Sequence, residues 1–266
     1  MVLLSDAPYR AQVEGYLAGL DGVLRGAAVA GVYLLGSAAL GDYQQGRSNL
    51  DLLVMMNRPP DPAEVEGLAR LHEGLKTGAQ PYLDATYLHV ALLGTLDLVD
   101  ARGIACVLNG DFYLGTAHQE VVIWATLALC GVTLRGHDAR LLRTAPHPVM
   151  LVASNHRELE GLWRPFALET RRTTESLDGA ALFPKEQVMT LGTQPGRLFW
   201  TILNGAIISK TRSLDFTADI FSDYAELLGR VKASRLGDES ITFTVDDARA
   251  AADLVEVICD AAKMLP

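Results

Sequence analysis

The spacing of apolar and polar positions changes period several times along the chain, and each change marks an element. In residues 8–25, Tyr9, Val13, Tyr16, Leu17, Leu20 and Leu24 recur at helical spacing; Ser5 or Asp6 is placed to cap this helix and Pro8 suits its first turn. The run VAGVYLLGS is almost continuously apolar, as a buried strand is, and ends in a tight turn at Gly36. LDLLVMM is a second strand, stopped by NRPPDP. Residues 61–76 place Val65, Leu68, Leu71 and Leu75 on one helical face. YLDATYLHVALL is a third strand, rich in β-branched and aromatic residues and alternating in its first half. Helix, strand, short helix, strand, helix, strand predicts a compact α/β unit over roughly the first hundred residues.

The pattern then changes. NGDFYLG is expected as a turn, AHQEVVIWATLALCG as a helix ending at Gly131, and VTLRG as a short additional strand. TAPHPV is punctuated by proline and sets the expected domain boundary near Ala145, dividing residues 1–145 from 146–266. Beyond it the periodicity is helical. Asn155 with Glu158 resembles a capping box ahead of Leu159, Leu162, Trp163 and Phe166, and residues 196–210 are apolar and helix-like. Thr244 with Asp247 is a capping box for a last helix carrying Ala248, Ala252, Val255 and Cys259. The expected fold class is α+β: a mixed sheet with flanking helices, followed by an all-α helical bundle. Trp124, Trp163 and Trp200 lie in apolar helical patterns and are expected in the core.

Composition narrows the function classes. The 266 residues suffice for one large domain or two ordinary ones. A net charge of -9 lacks the basic footprint of a nucleic-acid binder, so no nucleic-acid partner is expected. Cys106, Cys130 and Cys259 are scattered, without a C-x-x-C pair, which fits buried reduced thiols in a cytoplasmic protein. No apolar run reaches membrane-spanning length and MVLLSDAPYR is not a signal peptide, so a cytoplasmic location without membrane association is expected. The six histidines show no ligand spacing for zinc. Arg157, Arg164, Arg171 and Arg172 read as a solvated helix face, and Asp42 as a turn residue.

The chemistry concentrates between Leu34 and Met56, in LLGSAALGDYQQGRSNLDLLVMM. Residues two apart on a strand face the same side, so Asn49 and Asp51 project together. Gly36 permits a tight turn, after which Ser37 and the backbone N–H groups that follow can hold phosphate oxygens, with Ser48 adding a hydroxyl nearby. Asp84 is an acid inside the third strand between apolar neighbours, and such a group calls for a partner or a metal. If the second and third strands pair, Asp51 and Asp84 meet over one face. Carboxylates beside a Gly-Ser turn make a site for Mg2+ and a nucleoside triphosphate, where one carboxylate can take a proton from an attacking hydroxyl.

The pattern G-S-x-x-x-G-D followed by S-x-x-D on a strand resembles the signature of the nucleotidyltransferase (polymerase-beta-like) superfamily, with Gly36, Ser37, Gly41, Ser48 and Asp51 matching. Within it the chain is most similar to the streptomycin/spectinomycin type of aminoglycoside adenylyltransferase. DATYL from Asp84 matches that family's third-acid strand, with Asp where Glu is usual, and LNGAIISKTRSLDF resembles its helix and lysine-bearing turn. The resemblance implies ATP as substrate and Mg2+ held by Asn49, Asp51 and Asp84, with Asp84 as base and Asp51 also catalytic. It implies nucleotide contacts from Gly36, Ser37, Ser48 and Lys210, and a small polar acceptor bound in an interdomain cleft whose other side is the helical domain.

Two positions depart from the family pattern. Asn49 replaces the first acid of D-x-D, and TLGTQPGR lacks the tryptophan and acids that aminoglycoside-modifying relatives carry there. An amide oxygen can coordinate magnesium but brings no charge, so one metal should be weakened. Three readings remain open: an enzyme working with one metal, a substitution made to trap a complex, or a fold kept with transferase activity lost or changed, binding a nucleotide or other small molecule.

Overall fold

The computed structural model describes residues 7–76, 82–94, 105–114 and 121–265. The chain divides into two compact units, Met1–Pro146 and His147–Pro266. In the first, α1 (Arg10–Val23) leads to β1 (Val29–Leu34), α2 (Gly36–Ala39), β2 (Leu50–Met56), α3 (Pro62–Leu75) and β3 (Leu83–His89). There follow β4 (Ala105–Leu108), β5 (Asp111–Leu114), α4 (Val121–Cys130) and β6 (Val132–Arg135). The six strands form one mixed sheet in the order β5-β4-β3-β2-β1-β6. Among the described strands only β2 and β3 pair in parallel, and α3 provides the crossover that a parallel pair requires.

Strand alternation assigns each face its own core. Val32, Leu34, Leu50, Leu52, Val54, Leu83, Ala85 and Tyr87 pack with α1 and α3. Tyr33, Leu35, Leu53, Met55 and Leu88 pack with Trp124 and Leu127 of α4. β2 is buried on both faces, which explains why its sequence is a continuous apolar run rather than an alternating one. Asp61 caps α3 through a capping box with Glu64, which also holds Arg58 at 2.6 Å.

Under α1 and α3 lies a polar chain that is almost fully buried. Tyr16 Oη meets Tyr87 Oη at 2.8 Å, and Tyr87 Oη meets His72 Nε2 at 2.7 Å. Burial pushes the His72 pKa down to about 4, against a small opposing effect of its hydrogen bond to the Leu83 backbone. The ring is therefore neutral: one nitrogen accepts from Tyr87 and the other donates to Leu83.

The hairpin β4–β5 corrects the expectation of a plain turn at NGDFYLG. Asn109 and Gly110 alone form the turn, with φ of 52° and 79°, and DFYL pairs back onto ACVL. Both central residues have positive φ, the condition that the Asn-Gly pair meets at least strain. The proposed caps Ser5 and Asp6 lie outside the described residues; α1 begins at Arg10, and Tyr9 before it makes no side-chain cap.

The second unit comprises α5 (Pro148–Glu158), α6 (Arg164–Thr174), α7 (Lys185–Asn204), α8 (Lys210–Ile220), α9 (Ala225–Arg235) and α10 (Val245–Lys263). It is helical except for the short pair β7 (Leu182–Phe183) and β8 (Phe243–Thr244). The Thr244–Asp247 capping box forms as expected and also holds Arg230, whose Nη1 donates to Asp247 at 2.7 Å. One other expectation fails. Asn155 caps nothing: it is buried inside α5 and donates to the Leu151 carbonyl at 2.7 Å, because His147 starts that helix and a π turn continues it into α6.

The helix expected over residues 196–210 holds only as far as Asn204, and TLGTQPGR lies within the same helix, α7. A Cβ at Gly196 would overlap Thr217 Oγ1 and come within 3.2 Å of Thr217 Cβ, so this glycine serves close packing against α8. The helix closes at Gly205, in the left-handed conformation, and α8 starts afresh at Lys210. Trp124 and Trp163 are core residues, whereas Trp200 is only partly buried. Arg164, Arg171 and Arg172 pair with Glu160, Glu256 and Glu169, as a solvated helix face does. No helix among the described residues is long and apolar enough to cross a membrane.

Candidate active site

The site is built at the start of the parallel pair β2–β3. The turn after β1 folds back on β2, and Leu35 N–H donates to the Asp51 carbonyl at 2.8 Å. Gly36 has φ of 57° and faces the Asp51 side chain; a Cβ there would stand 2.6 Å from Asp51 Cγ and overlap Oδ2. Both the backbone angle and the space demand glycine. The Gly-Ser turn is thus pressed directly onto a carboxylate.

Asp51 is the register partner of Asp84, so the two side chains stand beside each other on one face of the sheet. Asp84 is 8% exposed. Its Oδ1 accepts from the Gly110 N–H at 3.2 Å and its Oδ2 from Asn49 Nδ2 at 2.9 Å. Asn49 Oδ1 accepts from the Tyr82 N–H at 3.3 Å, which determines which end of the amide faces Asp84. Asn49 Nδ2 also reaches Asn109 Oδ1 at 3.4 Å. The β4–β5 turn is therefore part of the site. Sequence reasoning missed Asn109 and Gly110, although the N-G dipeptide between two short apolar runs was the signal that could have found them.

The remaining candidates are placed as follows. Ser37 is the second residue of α2, partly buried, and its carbonyl accepts from the Asp42 N–H at 2.8 Å. Ser48 is buried and its Oγ accepts from the Gln44 N–H at 3.0 Å, a bond that leaves its own hydroxyl proton unused. Asp42 is buried at 7% exposure rather than projecting from a surface turn. Lys210 belongs to the second unit, at the first residue of α8, behind a Ser209 cap that accepts from Arg212 N–H at 3.3 Å. Its place at the N-terminal end of the helix is one where the dipole disfavours positive charge.

Three further residues extend the face of Asp84. Thr86, Cys106 and Tyr113 lie in register across β3, β4 and β5. Burial, then a hydrogen bond with Cys106 and the nearby charge of Asp84, push the Tyr113 pKa up to about 12, keeping it a neutral hydrogen-bonding group. A shallow groove of about 600 Å³ lined by Glu66, Ala69, Arg70, Glu73, Asp111 and Phe112 involves α3 and β5 and includes none of these residues.

The donor set can be tested for magnesium. Two carboxylates side by side offer hard oxygen ligands, which fit one magnesium ion. Among the described residues no three His, Cys, Asp or Glu side chains form a metal-binding group. The third expected position is Asn49, which turns its nitrogen, not its oxygen, toward Asp84. The arrangement fits one divalent cation better than two.

No protein-family model matches the chain, and no curated protein matches it. Among solved structures it is similar to the spectinomycin adenyltransferase AAD(9) from Enterococcus faecialis, crystallised with ATP and spectinomycin. The TM-score is 0.64 at 15% identity, over 93% of this chain and 99% of that one. At this identity the likeness is one of fold. The relation to aminoglycoside adenylyltransferases that the G-S and S-x-x-D pattern suggested is thus borne out as a shared fold.

Proposed function

We propose that this chain is a magnesium-dependent nucleotidyltransferase that moves AMP from ATP to a hydroxyl of a small polar, aminoglycoside-like acceptor. One observation carries the reading: the Gly36-Ser37 turn closes on Asp51 so tightly that only glycine fits, and Asp51 is in register with the buried Asp84. The fold shared with an adenyltransferase crystallised with ATP and spectinomycin supports it. Asp51 and Asp84 would hold the magnesium ion, which when bound neutralises phosphate charge. Ser37 and Ser48 offer hydroxyls to phosphate oxygens, and Lys210 is the proposed nucleotide-binding lysine. Asp84 accepts the acceptor's hydroxyl proton as that oxygen bonds to the α-phosphorus. The bond from the α-phosphorus to the bridging oxygen breaks, and pyrophosphate leaves. Acceptor recognition is assigned to the helical unit.

The experiment is transfer of labelled AMP from ATP across a panel of aminoglycosides and aminocyclitols. Transfer to at least one acceptor is expected; none by this chain and none by Asn49→Asp would refute the proposal. A second reading is favoured by the Asn49 amide itself, whose nitrogen occupies the place beside Asp84. In it the site binds a nucleotide or other small molecule without transfer. Calorimetry separates the two: tight ATP binding that requires magnesium and vanishes in Asp51→Ala supports the enzyme.

A further inference from the structure

We infer that Asn49 is a positioning residue whose amide takes the place of a second cation, so that the site works with a single divalent ion. This rests on the proposed function and deepens it. Three carboxylates at positions 49, 51 and 84 would crowd like charges on one face, an arrangement that two cations relieve. Here Asn49 presents N–H donors instead: Nδ2 lies 2.9 Å from Asp84 Oδ2, while Gly110 N–H engages Oδ1 at 3.2 Å. Each Asp84 oxygen thereby has a protein donor.

The amide's orientation is held from two sides. Tyr82 N–H donates to Oδ1, and Asn109 Oδ1 accepts from Nδ2. For Asn49 to ligate a metal through Oδ1, it would have to surrender the Tyr82 bond and withdraw its donor from Asp84. Hydrogen bonds to an ionised group are the stronger class, which favours the observed orientation. An aspartate at 49 would instead set an oxygen where the nitrogen now stands, against Asp84 Oδ2, and would need a cation to be tolerated.

The test counts Mn2+ bound to the full chain in the presence of a non-hydrolysable ATP analogue, by paramagnetic resonance of the free ion. It is paired with thermal unfolding in chelator and in magnesium. The wild type should bind one Mn2+ and gain from magnesium only the modest rise in midpoint that one bound ion gives. Asn49→Asp should bind two, with a midpoint in chelator lowered by at least about 2–4 °C and restored by magnesium. Asn49→Ala, which removes the donor without adding charge, should bind one and respond to chelator as the wild type does. A second Mn2+ on the wild type, a single one on Asn49→Asp, or an equal chelator response of those two proteins overturns the inference while leaving the enzyme reading intact. If neither protein binds Mn2+, the magnesium-dependent reading itself falls, and this inference with it.

Discussion

Tyr87 and Asp84 lie three residues apart on β3 and face opposite sides of the sheet, each at the centre of a polar cluster. Around Tyr87, Tyr16 and His72 form a closed chain in which each group bonds the next, sealed beneath α1 and α3. Around Asp84, two carboxylates and two amide side chains gather, and Asn49 and a backbone turn are among the donors that reach Asp84. The first cluster matches donors to acceptors and is dry, which is how buried polarity stabilises a fold. The second is rich in oxygen acceptors, which is how a protein prepares for a cation. One strand thus serves stability on one face and chemistry on the other.

Substitutions can separate the two roles. The largest effect is expected for Asp51→Ala, which removes a carboxylate from the cation site. Labelled AMP transfer should fall by on the order of 10³ or more, beyond the 10–100-fold typical of outer supporting groups. Thermal unfolding should change little, since Asp51 belongs to the chemical face. A large loss of stability with transfer retained would invert the comparison.

Next comes acidity on the Tyr87 side. Above about pH 6.5, His72 is neutral in both the folded and the unfolded chain. Below that, the unfolded chain takes up a proton that the folded ring refuses until about pH 4, so unfolding is increasingly favoured across this window. The accumulated loss is on the order of 3 kcal/mol, levelling off below pH 4. Denaturant titrations from pH 7.5 to 4 should show it, and His72→Phe should lack that component of the slope. An unchanged slope in the variant would mean that His72 is not the group responsible.

The smallest effect is expected at the hairpin turn. Asn109→Ala removes an acceptor from the Asn49 amide and a residue suited to positive φ. Transfer should fall by about 10-fold, at the lower end of what supporting groups cost. The pH dependence of stability should be untouched, because His72 is on the other face. A shift in the acid window would show that the two clusters communicate through β3.

Much of the chemical face was legible before any coordinates. Gly36, Ser37, Ser48, Asn49 and Asp51 lie within sixteen consecutive residues, and their turn and strand patterns are local. Asp84 was visible as an acid among apolar neighbours. Asn109 and Gly110 were not assigned, because their importance comes from where a short hairpin closes relative to β3. The Tyr16–Tyr87–His72 chain was equally hidden: each residue reads as an ordinary member of an apolar pattern. In the second unit, α7 runs through Pro195 and two glycines, and packing of Gly196 against α8 overrides their weak helix propensity.

The sequence alone determined the order of elements around the site, the glycine-dependent turn and the identity of the amide at position 49, since periodicity and turn chemistry act over a few residues. Only the tertiary structure decided which way that amide points. Its nitrogen faces Asp84 because Tyr82 N–H claims its oxygen and a turn sixty residues away receives its second proton, and such bonds exist only once the strands are in register.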